Sequence, residues 1–281
     1  MTGSESNPDD GAIERIDYSG VRLEFDGPLA IITLNDPEKL NAMGEDMANA
    51  LVVALTEIAK PRRRCRAVLL TGEGRAFCAG ANLMGSRKAL SEGGKKLANI
   101  GAVETLYHPL LRRIHALQIP LIVGVNGLAI GIGLGMTLAA DYVVAAEGAW
   151  FQAPFKNLAS ASDSALAWLL PRIIGPIRTK RILMRAERID AATALDWGIL
   201  SEVVPTAELA GRARAVATEF ANDATIALGE IKKLINDSPR CDIHSAFEAE
   251  AAAVARTSRT KDNVAAIKVF GTKAKPAFTG E

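Results

Sequence analysis

Two segments some fifty residues apart carry the residue types with the most chemical promise. The first is Gly72-Glu-Gly-Arg-Ala-Phe-Cys-Ala-Gly-Ala-Asn-Leu83. The second is Val125-Asn-Gly-Leu-Ala-Ile-Gly-Ile-Gly-Leu-Gly135. Each opens as an apolar strand and breaks into small residues, and the second runs directly into a helix. Small residues at such junctions let a ligand approach the backbone and leave N–H groups unpaired. Two junctions of this kind can aim two N–H donors at one oxygen, which is how an oxyanion hole is built.

Cysteines and histidines are few, three of each. Cys65, Cys78 and Cys241 show no metal spacing, and His108, His115 and His244 form no cluster. Ser160, Ser162 and Asp163 precede an apolar stretch, Ala165–Leu170, in the manner of a helix N-cap. Gly131-x-Gly-x-Gly135 departs from the G-x-G-x-x-G spacing of dinucleotide sites. Arg62-Arg-Arg64 reads as a solvated helix end.

The elements that position these residues follow from periodicity. Val21–Phe25 and Ala30–Leu34 flank an Asp-Gly-Pro turn and predict a hairpin. Met47, Leu51, Leu55 and Ile58 recur at helical spacing and predict a helix over Glu45–Ala59. Arg66–Thr71 reads as a buried strand. Residues 84–101 carry no period and read as a loop or irregular helix. Leu106, Leu110, Ile114 and Leu117 mark a helix ending before Pro120. A strand (Leu121–Val125), a helix (Gly133–Ala140) and a strand (Tyr142–Ala145) follow. This alternation favours an α/β fold with a mostly parallel sheet. From Thr206 the pattern is helical, with helices expected over Thr206–Asp223, Thr225–Asn236 and Asp242–Val269.

Composition removes several function classes. The net charge of +1 does not suit a phosphate-neutralising nucleic-acid binder. The longest apolar run, Leu121–Ala140, is interrupted by Asn126 and five glycines, so no membrane span is expected. With 49% hydrophobic residues in 281, a large core is available. The three cysteines fit a reducing, cytoplasmic setting. Residues 1–14 are polar and acidic, lack signal-peptide features, and are expected to be a disordered tail.

The Ala-Phe-Cys-Ala-Gly-Ala-Asn-Leu and Asn-Gly-x-Ala-x-Gly-x-Gly stretches resemble the two fingerprints of the crotonase (enoyl-CoA hydratase/isomerase) superfamily, and the resemblance runs from about Val21 to the C-terminus. It implies a stacked ββα spiral over residues 15–205 and a helical trimerisation region over 206–281. It also implies an acyl-CoA substrate, a homotrimer or dimer of trimers, and no cofactor apart from the coenzyme A carried by the substrate. The implied oxyanion donors are the backbone N–H groups of Ala81 and Ile132. Isoleucine stands where the family usually has glycine, but only proline would remove the donor. Coenzyme A binding carries over onto Lys39, Leu40, Ala79, Ala81, Asn82, Leu83 and Met84, and onto Lys273 near Phe270. Asn82 replaces the usual aspartate. Trp150, Phe151, Phe155 and Trp168 are candidates for the acyl pocket, with core packing as the ordinary reading.

The proton-transfer residues depart from the hydratase pattern. Hydratases of the family use two glutamates; the corresponding positions here are Gly135 and Phe155, and neither transfers a proton. Asp163 instead falls where dienoyl-CoA isomerases and the ring-1,2-epoxyphenylacetyl-CoA isomerase keep a catalytic aspartate. The 4-chlorobenzoyl-CoA dehalogenase keeps its nucleophile there and a histidine at the position of His108, but it needs a tryptophan where this chain has Phe155. The resemblance therefore points first to a double-bond isomerase with Asp163 as proton shuttle. Hydration by water held on another group and non-catalytic acyl-CoA binding are the alternatives.

Overall fold

The structure, a computed structural model, describes residues 13–83 and 100–281. Most of the loop expected over 84–101, with Met84, lies outside the described residues, as do residues 1–12.

The chain enters through β1 (Glu14–Tyr18), so Glu14 already belongs to a strand and not to a tail. β2 (Val21–Asp26) and β3 (Leu29–Leu34) form the expected hairpin. β2 alternates buried and half-buried residues, as a sheet with one face on the core requires. α1 (Glu45–Ile58) covers it with Met47, Leu51, Leu55 and Ile58 turned inward.

A strand–strand–helix unit then recurs. The first is β4 (Ala67–Gly72), β5 (Ala76–Cys78) and α2 (His108–His115). The second is β6 (Leu121–Val125), β7 (Leu128–Ile130) and α3 (Ile132–Leu138). The third is β8 (Tyr142–Ala146), β9 (Trp150–Gln152) and α4 (Leu166–Arg185). The first strand of each unit joins a seven-stranded sheet that ends on β11 (Glu202–Val204), ordered β1-β2-β3-β4-β6-β8-β11 and parallel from β3 onward. The second joins a four-stranded sheet that begins with β10 (Ile189–Asp190), ordered β10-β9-β7-β5, in which β5, β7 and β9 run parallel. The short strands β10 (Ile189–Asp190) and β11 (Glu202–Val204) flank α5 (Ala191–Asp196).

Each unit turns sharply from one sheet into the other. A Cβ on Gly72 would lie 2.5 Å from the Ala76 carbonyl oxygen, and one on Gly127 2.2 Å from that of Arg75. Any side chain is excluded at both corners. Two asparagines satisfy the exposed carbonyls: Asn41 donates to Glu73 and Ala76, and Asn126 to Gly74 and Ala76.

On the other face of the large sheet lies α6 (Leu209–Ala221), packed through Leu209, Ala213, Val216 and Ala217. α7 (Thr225–Asp237) is tied to it by Lys232, whose ammonium donates to Asp141 at 2.7 Å and to the Ile119 carbonyl. The single helix expected over Asp242–Val269 is two, α8 (Ile243–Thr257) and α9 (Lys261–Val269). Thr260 ends the continuity by capping the N–H of Asn263 through its hydroxyl. The helix expected over Leu106–Leu117 is α2, entered through a π-helical turn, Val103–Tyr107. The helix expected over Ala165–Leu170 continues to Arg185 and kinks at Gly175, where φ is 76° and Pro176 begins the second piece.

Candidate active site

The two fingerprint segments meet because β5 and β7 are parallel neighbours. Ala81 follows the C-terminal end of β5, and Ile132 follows that of β7. A Cβ on Gly131 would be 3.9 Å from the Gly80 Cα, and one on Gly133 2.7 Å from the Cys78 carbonyl oxygen. The backbones touch, which explains the run of small residues in both. Gly80 and Gly131 have φ of 89° and 54°, values at which a side chain is strained.

Neither predicted donor is committed to a backbone partner. Met43 pairs with Ala81 in an isolated parallel bridge, through Met43 N–H to the Gly80 carbonyl and Asn82 N–H to the Met43 carbonyl. Those bonds pass on either side of the Ala81 N–H. Ile132 is the first residue of α3, where N–H groups have no intrahelical acceptor. Its side chain is 2% exposed and belongs to the main core, so it turns inward. Isoleucine is thereby accommodated at a position that offers its backbone.

The stretch around Leu40 runs beside the first segment. Ala79 N–H donates to the Leu40 carbonyl at 3.0 Å, and Leu40 and Asn41 are both left-handed. Asn41 is fully buried and holds the loop to the first sheet corner. Lys39 is exposed and pairs with Asp36 at 2.9 Å. Asn82 and Leu83 are half-buried at the edge of the same loop. Lys273 lies exposed on the turn after α9 and makes no described contact with these loops. Phe270 is 90% exposed. Among the described residues, the fold of one chain thus brings together Lys39, Leu40, Ala79, Ala81, Asn82, Leu83 and Ile132, and leaves Lys273 apart.

Asp163 stands on a distorted turn ahead of α4. Ser164 and Ala165 both have positive φ, 56° and 59°. The N-cap of α4 is Ala165, with no side-chain cap, so Asp163 is not the capping residue. Its carboxylate accepts a hydrogen bond from the Ser164 hydroxyl at 2.7 Å. Burial pushes its pKa above the ordinary aspartate value, partly opposed by the Ser164 bond and by the nearby His108 imidazole. Burial and the neighbouring Asp163 raise the Tyr107 phenol in turn. Tyr107, at the end of the π-helical turn, donates its hydroxyl to the Met43 carbonyl at 3.3 Å, on the bridge beside Ala81. Asp163, His108 and Tyr107 are therefore electrostatic neighbours. Tyr107 and Ser164 had no sequence signal of their own; their adjacency to His108 and Asp163 was the only pointer.

The resemblance matched Phe155 and Gly135 to the two hydratase glutamates. The Phe155 ring tip approaches to 3.8 Å of a Cβ built on Gly131, so it lies against the second segment. Gly135 faces Ser164 with no space between them. No group of three or more metal-binding side chains occurs among the described residues. No described helix is long and apolar enough to cross a membrane.

Comparison with known proteins agrees with this architecture. The family model described as enoyl-CoA hydratase/isomerase matches residues 24–281. The chain is 34% identical to 1,2-epoxyphenylacetyl-CoA isomerase of Escherichia coli over 251 residues, 89% of this chain and 94% of that protein. It is 30% identical to short-chain-enoyl-CoA hydratase of Clostridium acetobutylicum over 261 residues, 92% and 97% of the two chains. The crystal structure of enoyl-CoA hydratase/isomerase from Cupriavidus metallidurans superposes with a TM-score of 0.85 at 28% identity, covering 94% of this chain and 98% of that one. The chain belongs to the enoyl-CoA hydratase/isomerase family and has the crotonase fold.

Proposed function

We propose that the protein shifts a carbon–carbon double bond in an acyl-CoA thioester. The observation that carries this reading is the pairing of one half-buried carboxylate, Asp163, with a Gly135 position that has no room for a second. The N–H groups of Ala81 and Ile132 hold the thioester oxygen. The Asp163 carboxylate takes a proton from the carbon next to the carbonyl of a 3-enoyl-CoA. The resulting dienolate places its charge on the held oxygen. The carboxylic acid then returns the proton at the far end of the conjugated system and leaves a 2-enoyl-CoA. Base and acid are one group, and no water is consumed. The chemistry asks for acid–base and hydrogen-bonding groups alone, with coenzyme A arriving on the substrate.

The hydratase named among the relatives favours a second reading, in which water adds to the double bond. That reaction needs a group to activate the water, and the two usual positions hold Gly135 and Phe155. Self-association as a trimer or pair of trimers belongs to the same proposal. The exposed Ile177, Met184, Ile267 and Phe270 offer apolar surface for it.

The deciding experiment incubates a 3-enoyl-CoA with wild type and with Asp163→Asn and follows conjugated 2-enoyl-CoA by absorbance. Conversion lost in the variant establishes the isomerase and its base. Conversion of a 2-enoyl-CoA to a 3-hydroxyacyl-CoA in a parallel assay, with no conjugated product from the 3-enoyl-CoA, establishes the hydratase. Equal conversion by both proteins removes Asp163 from the mechanism.

A further inference from the structure

α2 presents His108, Leu111, Arg112 and His115 at three- and four-residue intervals, which places them on one face. That face forms one wall of a cavity of about 400 Å³. Trp168 and Leu169, from the first turn of α4, and Ala139 also line it.

The position of this cavity follows α3. Ile132 begins the helix, and its N–H is one proposed thioester donor. Gly135, one turn on, is packed against Ser164 beside Asp163. Ala139, the C-cap, borders the cavity. Seven residues at 1.5 Å rise put Ala139 on the order of 10 Å from the donor. His108 lines the cavity and also acts electrostatically on Asp163. Donor, base and cavity therefore lie in that order along one helix.

The walls are unusually charged for an acyl pocket. Arg112 and Arg240 contribute two guanidinium groups, His108 and His115 two imidazoles, and among the described residues no lining side chain is acidic. Arg240 pairs with Asp237 at 3.0 Å. Among the described residues Arg112 makes no ion pair and no side-chain hydrogen bond. The nearby Arg172 does not compete for the same role, because it stacks 4.1 Å over the Trp168 ring and donates to the Trp168 carbonyl. Leu111, Trp168 and Leu169 supply an apolar floor. An unpaired guanidinium above such a floor is suited to a carboxylate at the end of a hydrocarbon chain, which it meets with two parallel hydrogen bonds.

We propose that this cavity receives the distal end of the acyl group and that Arg112 selects acyl-CoA thioesters whose chain ends in a carboxylate. The proposal rests on the reading that Ala81 and Ile132 hold the thioester beside Asp163. A methyl-terminated chain fills the floor but leaves Arg112 unused. The adenine and pantetheine of coenzyme A are expected along Lys39–Leu40 and Ala79–Leu83.

Binding of saturated, unreactive thioesters tests the inference apart from the reaction. Calorimetry would compare octanoyl-CoA with suberyl-CoA, its ω-carboxylated counterpart, on wild type and on Arg112→Gln. Arg112 is exposed, so the variant should fold, and its thermal unfolding checks that it does. The expected result is a wild-type preference for suberyl-CoA of about tenfold or more. Arg112→Gln should abolish this preference and leave octanoyl-CoA binding unchanged. Equal affinity of wild type for both ligands overturns the proposal, as does a variant that weakens both alike. Absence of binding by either ligand overturns it together with the thioester-site reading. Failure to isomerise a 3-enoyl-CoA overturns the reaction alone and leaves the ligand preference to stand or fall on its own.

Discussion

A Cβ placed on Gly135 would lie 2.8 Å from the Ser164 carbonyl oxygen and 2.9 Å from the Ser164 Cβ. The loop that presents Asp163 is thus seated on the bare backbone of α3, where hydratases of the family keep a glutamate. With the Ser164 backbone in this place, position 135 has no room for a carboxylate.

Gly135→Glu should therefore fail to create a hydratase. Even Gly135→Ala should destabilise the fold by about 1–3 kcal/mol, because overpacking against backbone outweighs the roughly 1 kcal/mol gained in helix propensity. Thermal unfolding of both variants, with crotonyl-CoA hydration assayed on the glutamate form, checks this. A stable variant that hydrates would show that the Ser164 loop moves aside.

Asp163→Asn should lower isomerisation by several orders of magnitude and leave acyl-CoA binding intact. It should also stabilise the protein at neutral pH. The sign follows from burial, which raises the folded-state pKa above the unfolded one. The native state then holds more protons than the unfolded state between those two values, so stability falls as pH rises through that window. The asparagine variant avoids this loss. Its advantage in melting temperature should shrink on acidification below the ordinary aspartate pKa, and an advantage independent of pH would contradict the assignment.

The acidic limb of the kcat/KM profile should lie above the ordinary aspartate value, since only the ionised carboxylate abstracts a proton. His108 lowers the Asp163 pKa when its imidazole is charged. His108→Gln should move the limb to higher pH with a smaller effect on the plateau. A limb that stays in place would remove His108 from the electrostatics of the base.

The Ile132 donor can be separated from the Ile132 side chain. Ile132→Pro and Ile132→Ala both lose buried packing, at a cost of about 2–5 kcal/mol for the alanine form. Proline is tolerated at the first helical position but carries no N–H. If both variants fold, the proline form should be slower than the alanine form by roughly two to three decades in kcat. Equal rates would mean that the thioester oxygen is held elsewhere.

Lys232 and Asp141 anchor the C-terminal helices to the start of β6. Lys232 is 8% exposed and Asp141 26%, and Asp141 also accepts the Leu121 N–H at 2.7 Å. Lys232→Met should destabilise by about 1–3 kcal/mol, because it leaves the partly buried Asp141 carboxylate with the Leu121 N–H but without its counter-charge. Adding Asp141→Asn should recover part of the loss, since the amide oxygen still accepts from Leu121. Chemical denaturation of the two variants measures the difference.

The sequence by itself determined the alternation of strands and helices, the hairpin around Asp26–Pro28, and the two junctions at Ala81 and Ile132. Apolar spacing and glycine placement are local signals, and they survive in one dimension. The family resemblance placed Gly135 and Phe155 at the hydratase glutamate positions. The sequence did not reveal the second sheet, because β5, β7 and β9 have only three residues each, too short for a period. Local sequence offered Asp163 as a helix cap, and only the positive φ of Ser164 and Ala165 removed it from that duty. Tyr107 joined the site through a π-helical turn that no residue pattern announced. The contact of Gly80 with Gly131, and of Gly135 with Ser164, joins segments far apart in the chain. Such contacts depend on how neighbouring turns of the spiral stack, so tertiary structure alone decided that Asp163 lies near His108 and Tyr107 and that position 135 has no space for a side chain.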